Sequence, residues 1–172
     1  KLIVLGGANT DGPMGRSMLH LFPYIDYVFS GETDHAFVDF LLALEIGSPI
    51  EGIPGIHFRS MDKVGSIVSG PFSQPHRDLT DLPVPDYDDY IDTRRRIGLE
   101  QRHPLVLSLE TSRGCWWGAK NHCTFCGLNA NGMIYRSKPA DHFQSELSTI
   151  CARYQPKFIF LTDNICLYVI LA

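Results

Sequence analysis

The sequence has 172 residues, of which 44% are apolar, and a formal net charge of −4 at pH 7. This length and apolar content are typical of a soluble globular protein with one domain or parts of two, and the acidic balance argues against a nucleic-acid partner. Because no apolar run reaches the ~18 residues that a membrane span needs, and because the five cysteines follow no secretory signal, we expect a cytoplasmic protein without membrane partners.

The first part of the chain alternates strands, glycine turns and helices. Apolar strands are predicted at residues 2–5 and 24–29. The first strand ends at Gly6 and Gly7 and the second at Gly31, as buried strands do where they enter a turn. The apolar faces of the two helices that follow are predicted to comprise Met14, Met18, Leu19 and Phe22 in the first, and Phe37, Phe40, Leu41 and Leu44 in the second. This order of elements predicts an α/β fold with parallel strands.

A hairpin and a linker follow these elements. The hairpin is predicted at residues 53–59 and 66–69, with His57 on the strand surface. Prolines and aspartates are frequent in residues 71–98, which indicates a partly extended linker between two domains. The arginines at positions 94–96 are interpreted as a solvated face of that linker.

The rest of the chain is predicted to contain one β/α repeat and the strand that follows it. A strand at residues 105–109 leads into a long loop at 110–132, and a second strand covers 157–161. The helix between them, which opens near residue 140, has an apolar face that comprises Phe143, Leu147, Ile150 and Cys151. Cys151 is therefore predicted to be a core residue. Loops at the carboxyl ends of barrel strands carry the chemistry of such folds, so the long loop is the candidate functional loop.

Three cysteines of this loop, Cys115, Cys123 and Cys126, have the spacing C-x7-C-x2-C. Three thiolates on one loop can hold three corners of an iron–sulfur cube and leave its fourth iron open for chemistry. With His122 they can instead form a three-cysteine, one-histidine zinc site. The spacing alone suits either metal, although the closeness of Cys123 and Cys126 favours metal chelation or redox use over a structural disulfide.

The residues around the cysteines, SRGCWWG at 112–118 and HCTFCGLN at 122–129, resemble the cluster loop of radical S-adenosylmethionine (SAM) enzymes. Most of those enzymes have three residues in the first gap. The motif with its wider gap resembles that of cobalamin-domain radical SAM proteins associated with maturation of ribosomally made peptides (RiPPs). The resemblance implies the C-terminal half of a Rossmann-like cobalamin-binding domain with its hairpin at 1–70, the linker at 71–98, and the first β/α units of a radical SAM partial TIM barrel at 99–172. It also implies a fragment, truncated at both ends.

The resemblance assigns cofactor contacts to individual residues. Cys115, Cys123 and Cys126 would each ligate one iron of a 4Fe–4S cluster whose open iron binds SAM. The residues implied near SAM are Phe125, Gly127 and Asp163, and those implied near cobalamin are Gly6, Gly7, Gly31 and Glu32. Residue chemistry leaves other roles open, since Phe125 could fill a core and Asp163 could cap a helix.

The function implied by the resemblance is cobalamin-dependent methylation, or a related modification, of a carbon atom in a ribosomal precursor peptide. Flavodoxin or ferredoxin would supply the low-potential electron. Trp116 and Trp117 could shield the cluster from water or pack on the barrel rim. Two other interpretations stay open on the residues alone: a zinc-binding structural module, and a truncated fragment without activity.

Overall fold

The structure, a computed structural model, describes residues 1–63, 65–121, 123–126 and 133–165. The chain divides into two compact units, one comprising Lys1–His76 and Asn121–Met133, the other Arg77–Lys120 and Ile134–Ala172. Within the described ranges, no helix combines the length and the apolar character that crossing a bilayer requires. The C-terminal segment at 166–172, where the sequence predicts the truncated end of the barrel, lies outside the described residues.

The first unit is built on a four-stranded mixed sheet in the order β1-β2-β3-β4. Its strands are β1 (Val4–Leu5), β2 (Tyr27–Phe29), β3 (Ile56–Arg59) and β4 (Ile67–Ser69). Strand β1 runs parallel to β2, whereas β3 runs antiparallel to both β2 and β4. The predicted parallel pair and the predicted hairpin are therefore both confirmed. Since β1 and β2 are parallel neighbours, the glycine turns that follow them lie at the same edge of the sheet.

Each strand of the parallel pair is followed by a helix. Helix α1 (Pro13–Leu21) follows β1, and helix α2 (Ala36–Ile46) follows β2. Proline begins α1 favourably because its fixed φ suits the first helical position, where its missing N–H is not needed. Gly47 ends α2 in the left-handed conformation, with φ at 69°.

The face of α2 that enters the core differs from the predicted one. Ala36, Phe40 and Ala43 are buried, whereas Phe37 and Leu41 are 40% and 50% exposed. Both sets have helical spacing because α2 is apolar on nearly every side, so the pattern alone does not distinguish them. The Phe40 ring occupies the core because it packs edge-on against two aromatic rings of β2, with ring centroids 4.8 and 5.4 Å apart.

The predicted linker contains a helix, α3 (Asp88–Arg96), with aspartates in its first turn and arginines in its last. Both charges favour the helix because they complement its dipole. The interpretation of the arginines as a solvated face is wrong for Arg94, which is only 6% exposed and donates a 2.7 Å hydrogen bond to the His103 carbonyl oxygen. Consecutive helical residues point in different directions, so Arg95 and Arg96 stay exposed beside it.

The second unit contains the predicted strand–helix–strand repeat. Strand β5 (Val106–Leu109) pairs in parallel with strand β8 (Phe158–Leu161), in the register Leu107 to Ile159. Helix α4 (Ala140–Tyr154) lies between these strands in sequence. Parallel neighbours joined through a helix form one β/α repeat, as the sequence predicts.

The core of the second unit is formed by Leu107, Leu109 and Ile150, with partly buried apolar residues packed around them. Ile150 confirms the predicted apolar face of α4, but Cys151 is exposed and is not a core residue. At 3.6 residues per turn, adjacent helical positions point about 100° apart. The side of the helix that buries Ile150 therefore turns Cys151 towards solvent.

A short ribbon closes the base of the long loop. Strand β6 (Ser112–Arg113) pairs antiparallel with β7 (Arg136–Ser137). Next to it, the Lys138 amide donates a 2.8 Å hydrogen bond to the Thr111 carbonyl oxygen. The two ends of the cysteine loop are thus held together. The sequence did not predict this ribbon, because strands of two residues are too short to show a periodic pattern.

Candidate cofactor-binding sites

Cys115 follows a tight backbone crossing at the base of the loop. Gly114 has φ at 80°, and a Cβ atom there would lie 2.2 Å from the Ile134 carbonyl oxygen, so only glycine fits. The Gly118 amide donates a 3.2 Å hydrogen bond to Cys115 Sγ. Hydrogen bonds to sulfur are among the contacts by which proteins support cysteine ligands of metal clusters. The backbone at Cys115 is therefore shaped as a ligand-bearing turn.

Cys123 and Cys126 form a second turn. The Cys126 amide donates a 3.1 Å hydrogen bond to the Cys123 carbonyl oxygen, and both side chains are partly buried free thiols. The chain division places this turn in the first unit and Cys115 in the second. No group of three cysteine, histidine or carboxylate side chains in the described part of the chain is assembled as a metal site. The three-cysteine ligand set therefore stays a prediction, and His122 and Gly127 lie outside the described residues.

The donor chemistry of the loop nevertheless fits a sulfur-rich cofactor. The three predicted ligands are free and partly buried, as cluster thiols are. In addition, Trp116 Nε1 is buried and has no hydrogen-bond acceptor among the described residues. Buried N–H groups normally have a partner, and sulfur atoms of a cluster can accept such a bond. Phe125 is 91% exposed, so it does not fill a core in the part of the chain that the structure describes.

Asp163, which follows β8, holds the start of the cysteine loop. Its carboxylate accepts hydrogen bonds from the Thr111 amide at 2.7 Å, the Thr111 hydroxyl at 2.6 Å and the Ser112 amide at 2.9 Å. These bonds join the end of β8 to the end of β5. The carboxylate thus stabilises the strand β6 from which Cys115 follows. Its predicted contact with SAM stays untested.

We expect Asp163→Ala to lower the free energy of unfolding by about 2–3 kcal/mol, since the Thr111 and Ser112 amides lose their acceptor and leaving a buried donor unsatisfied costs ~1–3 kcal/mol. Urea denaturation measures the effect. Asp163→Asn keeps a carbonyl oxygen that can accept from both amides and is expected to lose about half as much. An alanine variant as stable as wild type would contradict the anchoring role.

A buried ion pair holds the other end of the ribbon. Lys138 Nζ and Glu146 Oε2 are 2.6 Å apart, and the two side chains are only 4% and 3% exposed. Sequence reasoning missed this pair, although Glu146 lies one turn from Ile150 on the apolar face of α4. A charged residue on a core face is the signal that predicts a buried partner. The pair fixes the residue after β7 to α4.

The first unit contains a cleft of 540 Å³ beside the carboxyl end of β2. Its wall includes Gly31 backbone and the side chains of Arg16 and His57. Glu32 lines a separate cavity of 210 Å³, and its carboxylate accepts a 3.0 Å hydrogen bond from the His76 amide. Gly31 and Glu32, which the sequence predicts near cobalamin, therefore line two different cavities.

The first predicted cobalamin turn is open. Gly7 has φ at 94°, and a Cβ atom there would meet nothing within 4 Å. A Cβ atom at Gly6 would contact only Phe29, at 4.0 Å. Glycine lets a ligand approach the backbone closely because it carries no side chain. The turn therefore leaves room for a ligand to approach the backbone, while its predicted contact with cobalamin stays a prediction.

His57 is not a simple strand-surface residue, because both of its ring nitrogens have partners in the cleft wall. Nδ1 lies 2.9 Å from Ser69 Oγ, and Nε2 lies 3.1 Å from Ser30 Oγ. Ser30 Oγ donates its hydrogen to the Thr10 carbonyl oxygen at 2.7 Å. Ser30 must therefore accept from Nε2–H, which leaves Nδ1 to accept from Ser69. A neutral imidazole satisfies every group in this network.

Burial lowers the pKa of His57, and the positive charge of Arg16 lowers it further. The unfolded chain takes up this proton below its ordinary pKa of about 6.5 while the folded protein resists it, so stability falls as pH decreases through that range. We expect His57→Gln to reduce the loss of unfolding free energy between about pH 7.5 and 5.5. Denaturant titrations of both proteins test this, and equal pH slopes would contradict it.

No family model matches the chain. Among curated proteins the chain is similar to an uncharacterized methyltransferase of Pyrococcus horikoshii, with 29% identity over 168 residues. The matched region is 96% of this chain and 34% of that methyltransferase. The chain therefore spans about a third of the length of this relative.

Two enzymes of known structure have a similar fold. One is the cobalamin-dependent SAM radical enzyme OxsB with aqua-cobalamin and SAM bound, at a TM-score of 0.63 and 18% identity. The other is the radical SAM methyltransferase TsrM from Kitasatospora setae, solved with cobalamin and a [4Fe-4S] cluster, at a TM-score of 0.62 and 19% identity. Each match covers 95% of this chain, and respectively 21% and 30% of those chains.

At these identities the similarity shows the fold alone. The chain has a mixed α/β fold with a partly parallel sheet, similar to that of the cobalamin-dependent radical SAM enzymes. The α/β prediction is confirmed at this level. The division into a half cobalamin domain, a linker and a partial barrel stays a prediction.

Proposed function

We propose that this chain is part of a cobalamin-dependent radical SAM methyltransferase that modifies a carbon atom in a ribosomally made precursor peptide. The observation that carries the proposal is the position of the cysteine loop. The loop follows β5 of a parallel pair, in a chain whose fold resembles such enzymes over 95% of its length. Loops at this end of parallel strands are where α/β folds place catalytic groups.

In this proposal, Cys115, Cys123 and Cys126 hold a 4Fe–4S cluster, and Phe125, Gly127 and Asp163 lie near SAM. When bound, the cluster and SAM supply one-electron cleavage of a sulfonium bond, and cobalamin supplies a carrier for the methyl group. The Gly118 amide, which donates a hydrogen bond to Cys115 Sγ, supports a cluster ligand at that position. Asp163 keeps the loop in register with the strand ends through its bonds to the Thr111 and Ser112 amides.

Cobalamin binding is proposed for the first unit, at the edge where Gly6, Gly7, Gly31 and Glu32 follow the parallel strands. The open space at Gly7 supports close approach of a macrocycle to the backbone. The cleft beside β2 extends this edge, and the neutral His57 in its wall adds no charge near neutral pH. The resemblance to these enzymes also suggests two partners, which we include in the proposal. They are a precursor peptide as substrate and a flavodoxin or ferredoxin as electron donor.

Anaerobic reconstitution of the full-length protein with iron and sulfide tests the proposal. We expect about four irons and four sulfides per chain, a broad visible absorption band, and a separate spectral change when cobalamin is added. A colourless protein that retains one zinc would overturn the proposal and favour the structural zinc site with His122. A protein that binds neither metal would overturn both the cluster and the zinc interpretations.

A further inference from the structure

Trp116 carries a buried donor that the fold leaves without a partner. Its Nε1 atom is inaccessible to solvent and has no acceptor in the part of the chain that the structure describes. The adjacent Trp117 differs, because its side chain is 48% exposed. The two rings meet edge to face, with centroids 6.0 Å apart and planes at 88°. The Trp116 N–H group therefore lies inside the protein, whereas about half of Trp117 is exposed.

An unpaired buried N–H group is costly. Leaving such a donor unsatisfied destabilises a protein, so a buried donor normally has an acceptor in the working state. Trp116 follows Cys115 directly, and the Gly118 amide already donates to Cys115 Sγ at 3.2 Å. The segment from Cys115 to Gly118 therefore contains two N–H donors, the Gly118 amide and Trp116 Nε1. The Gly118 amide has an acceptor, and Trp116 Nε1 needs one.

We propose that Trp116 Nε1–H donates a hydrogen bond to a sulfur atom of the cluster that Cys115 helps to hold, and that this bond raises the reduction potential of the cluster. The inference rests on the proposed function. A hydrogen bond to sulfur stabilises the reduced cluster more than the oxidised one, because reduction adds negative charge to the cluster. Trp116 thus makes it easier for a weak electron donor to reduce the site.

The test compares Trp116→Phe with Trp117→Phe in the reconstituted full-length protein. Phenylalanine keeps an aromatic ring and removes only the N–H donor and the second ring. We expect Trp116→Phe to decrease the equilibrium constant for cluster reduction about tenfold, which is a shift of about −59 mV for one electron. Trp117→Phe is expected to leave it unchanged. Potentiometric titration followed by electron paramagnetic resonance (EPR) measures both values, and equal potentials in wild type and Trp116→Phe would overturn the inference.

A second measurement covers the case in which Trp116→Phe fails to load a cluster. Full-length protein that carries ¹⁵N-labelled tryptophan at position 116 alone, introduced site-specifically, keeps the donor and marks its nitrogen. Pulsed EPR of its reduced cluster is expected to show coupling to that nitrogen. A loaded cluster without this coupling would overturn the inference, whereas a wild-type protein that binds no iron would overturn the proposed function itself.

Discussion

Cys123→Ala is expected to lose most of the iron that the wild-type full-length protein takes up in anaerobic reconstitution. Cys123 starts the C-x2-C pair, and its carbonyl oxygen accepts the hydrogen bond that closes the turn to Cys126. A cube held at three corners by one loop cannot keep its geometry when a corner ligand is removed. Iron and sulfide analysis, together with the visible spectrum, measures the loss.

Cys151→Ala is the matched control for this substitution. Cys151 is exposed on α4, so alanine there removes a thiol without disturbing the core or the loop. We expect it to bind iron like wild type. If Cys123→Ala kept its full iron content while remaining folded, this cysteine would not be a ligand. If both variants lost iron equally, the thiols would act non-specifically.

Local patterns predicted the framework of both units. The apolar strands at 24–29 and 105–109 correspond to β2 and β5, and the helix that opens near residue 140 is α4. These elements depend on periodicity and on turn residues a few positions away, which a sequence displays directly. The parallel pairing of β5 with β8 followed from the helix between them, because adjacent parallel strands need such a connection.

Contacts between distant residues were not predictable in the same way. Asp163 meets Thr111 across 52 positions, and His57 meets Ser30 across 27. A polar side chain reveals its type in sequence but not its partner, since the partner is fixed by how the strands assemble. Arg94 shows the same limit, because a carbonyl oxygen in the next loop satisfies its buried guanidinium.

Two tertiary contacts of the second unit lie at the base of the cysteine loop. Asp163 anchors its first strand, and the Lys138–Glu146 ion pair anchors the residue after its second strand. Both anchors use elements of the second unit's core, β8 and α4. A loop with few regular hydrogen bonds of its own is best positioned by fixing its ends on rigid elements. The anchors therefore link the stability of this unit to the placement of Cys115.

Glu146→Ala is expected to be the most destabilising single change in this unit, by about 3–5 kcal/mol. The substitution removes the counter-charge of an ammonium group that is only 4% exposed and 2.6 Å from its partner. A buried charge without a partner is far more costly than the ion pair is favourable. Urea denaturation at neutral pH measures the free energy of unfolding, and a change below about 1 kcal/mol would contradict the burial of the pair.

The double variant Lys138→Met/Glu146→Leu separates the cost of an unpaired charge from the value of the pair. Apolar residues of similar volume often replace a buried ion pair at little cost, so we expect stability within about 1 kcal/mol of wild type. Glu146 Oε1 strengthens this expectation, since it has no hydrogen-bond partner among the described residues and gains nothing from burial. If the double variant were as unstable as Glu146→Ala, the pair itself would supply the stabilisation. If it is stable but loads less iron than wild type, the ion pair acts by positioning the cysteine loop.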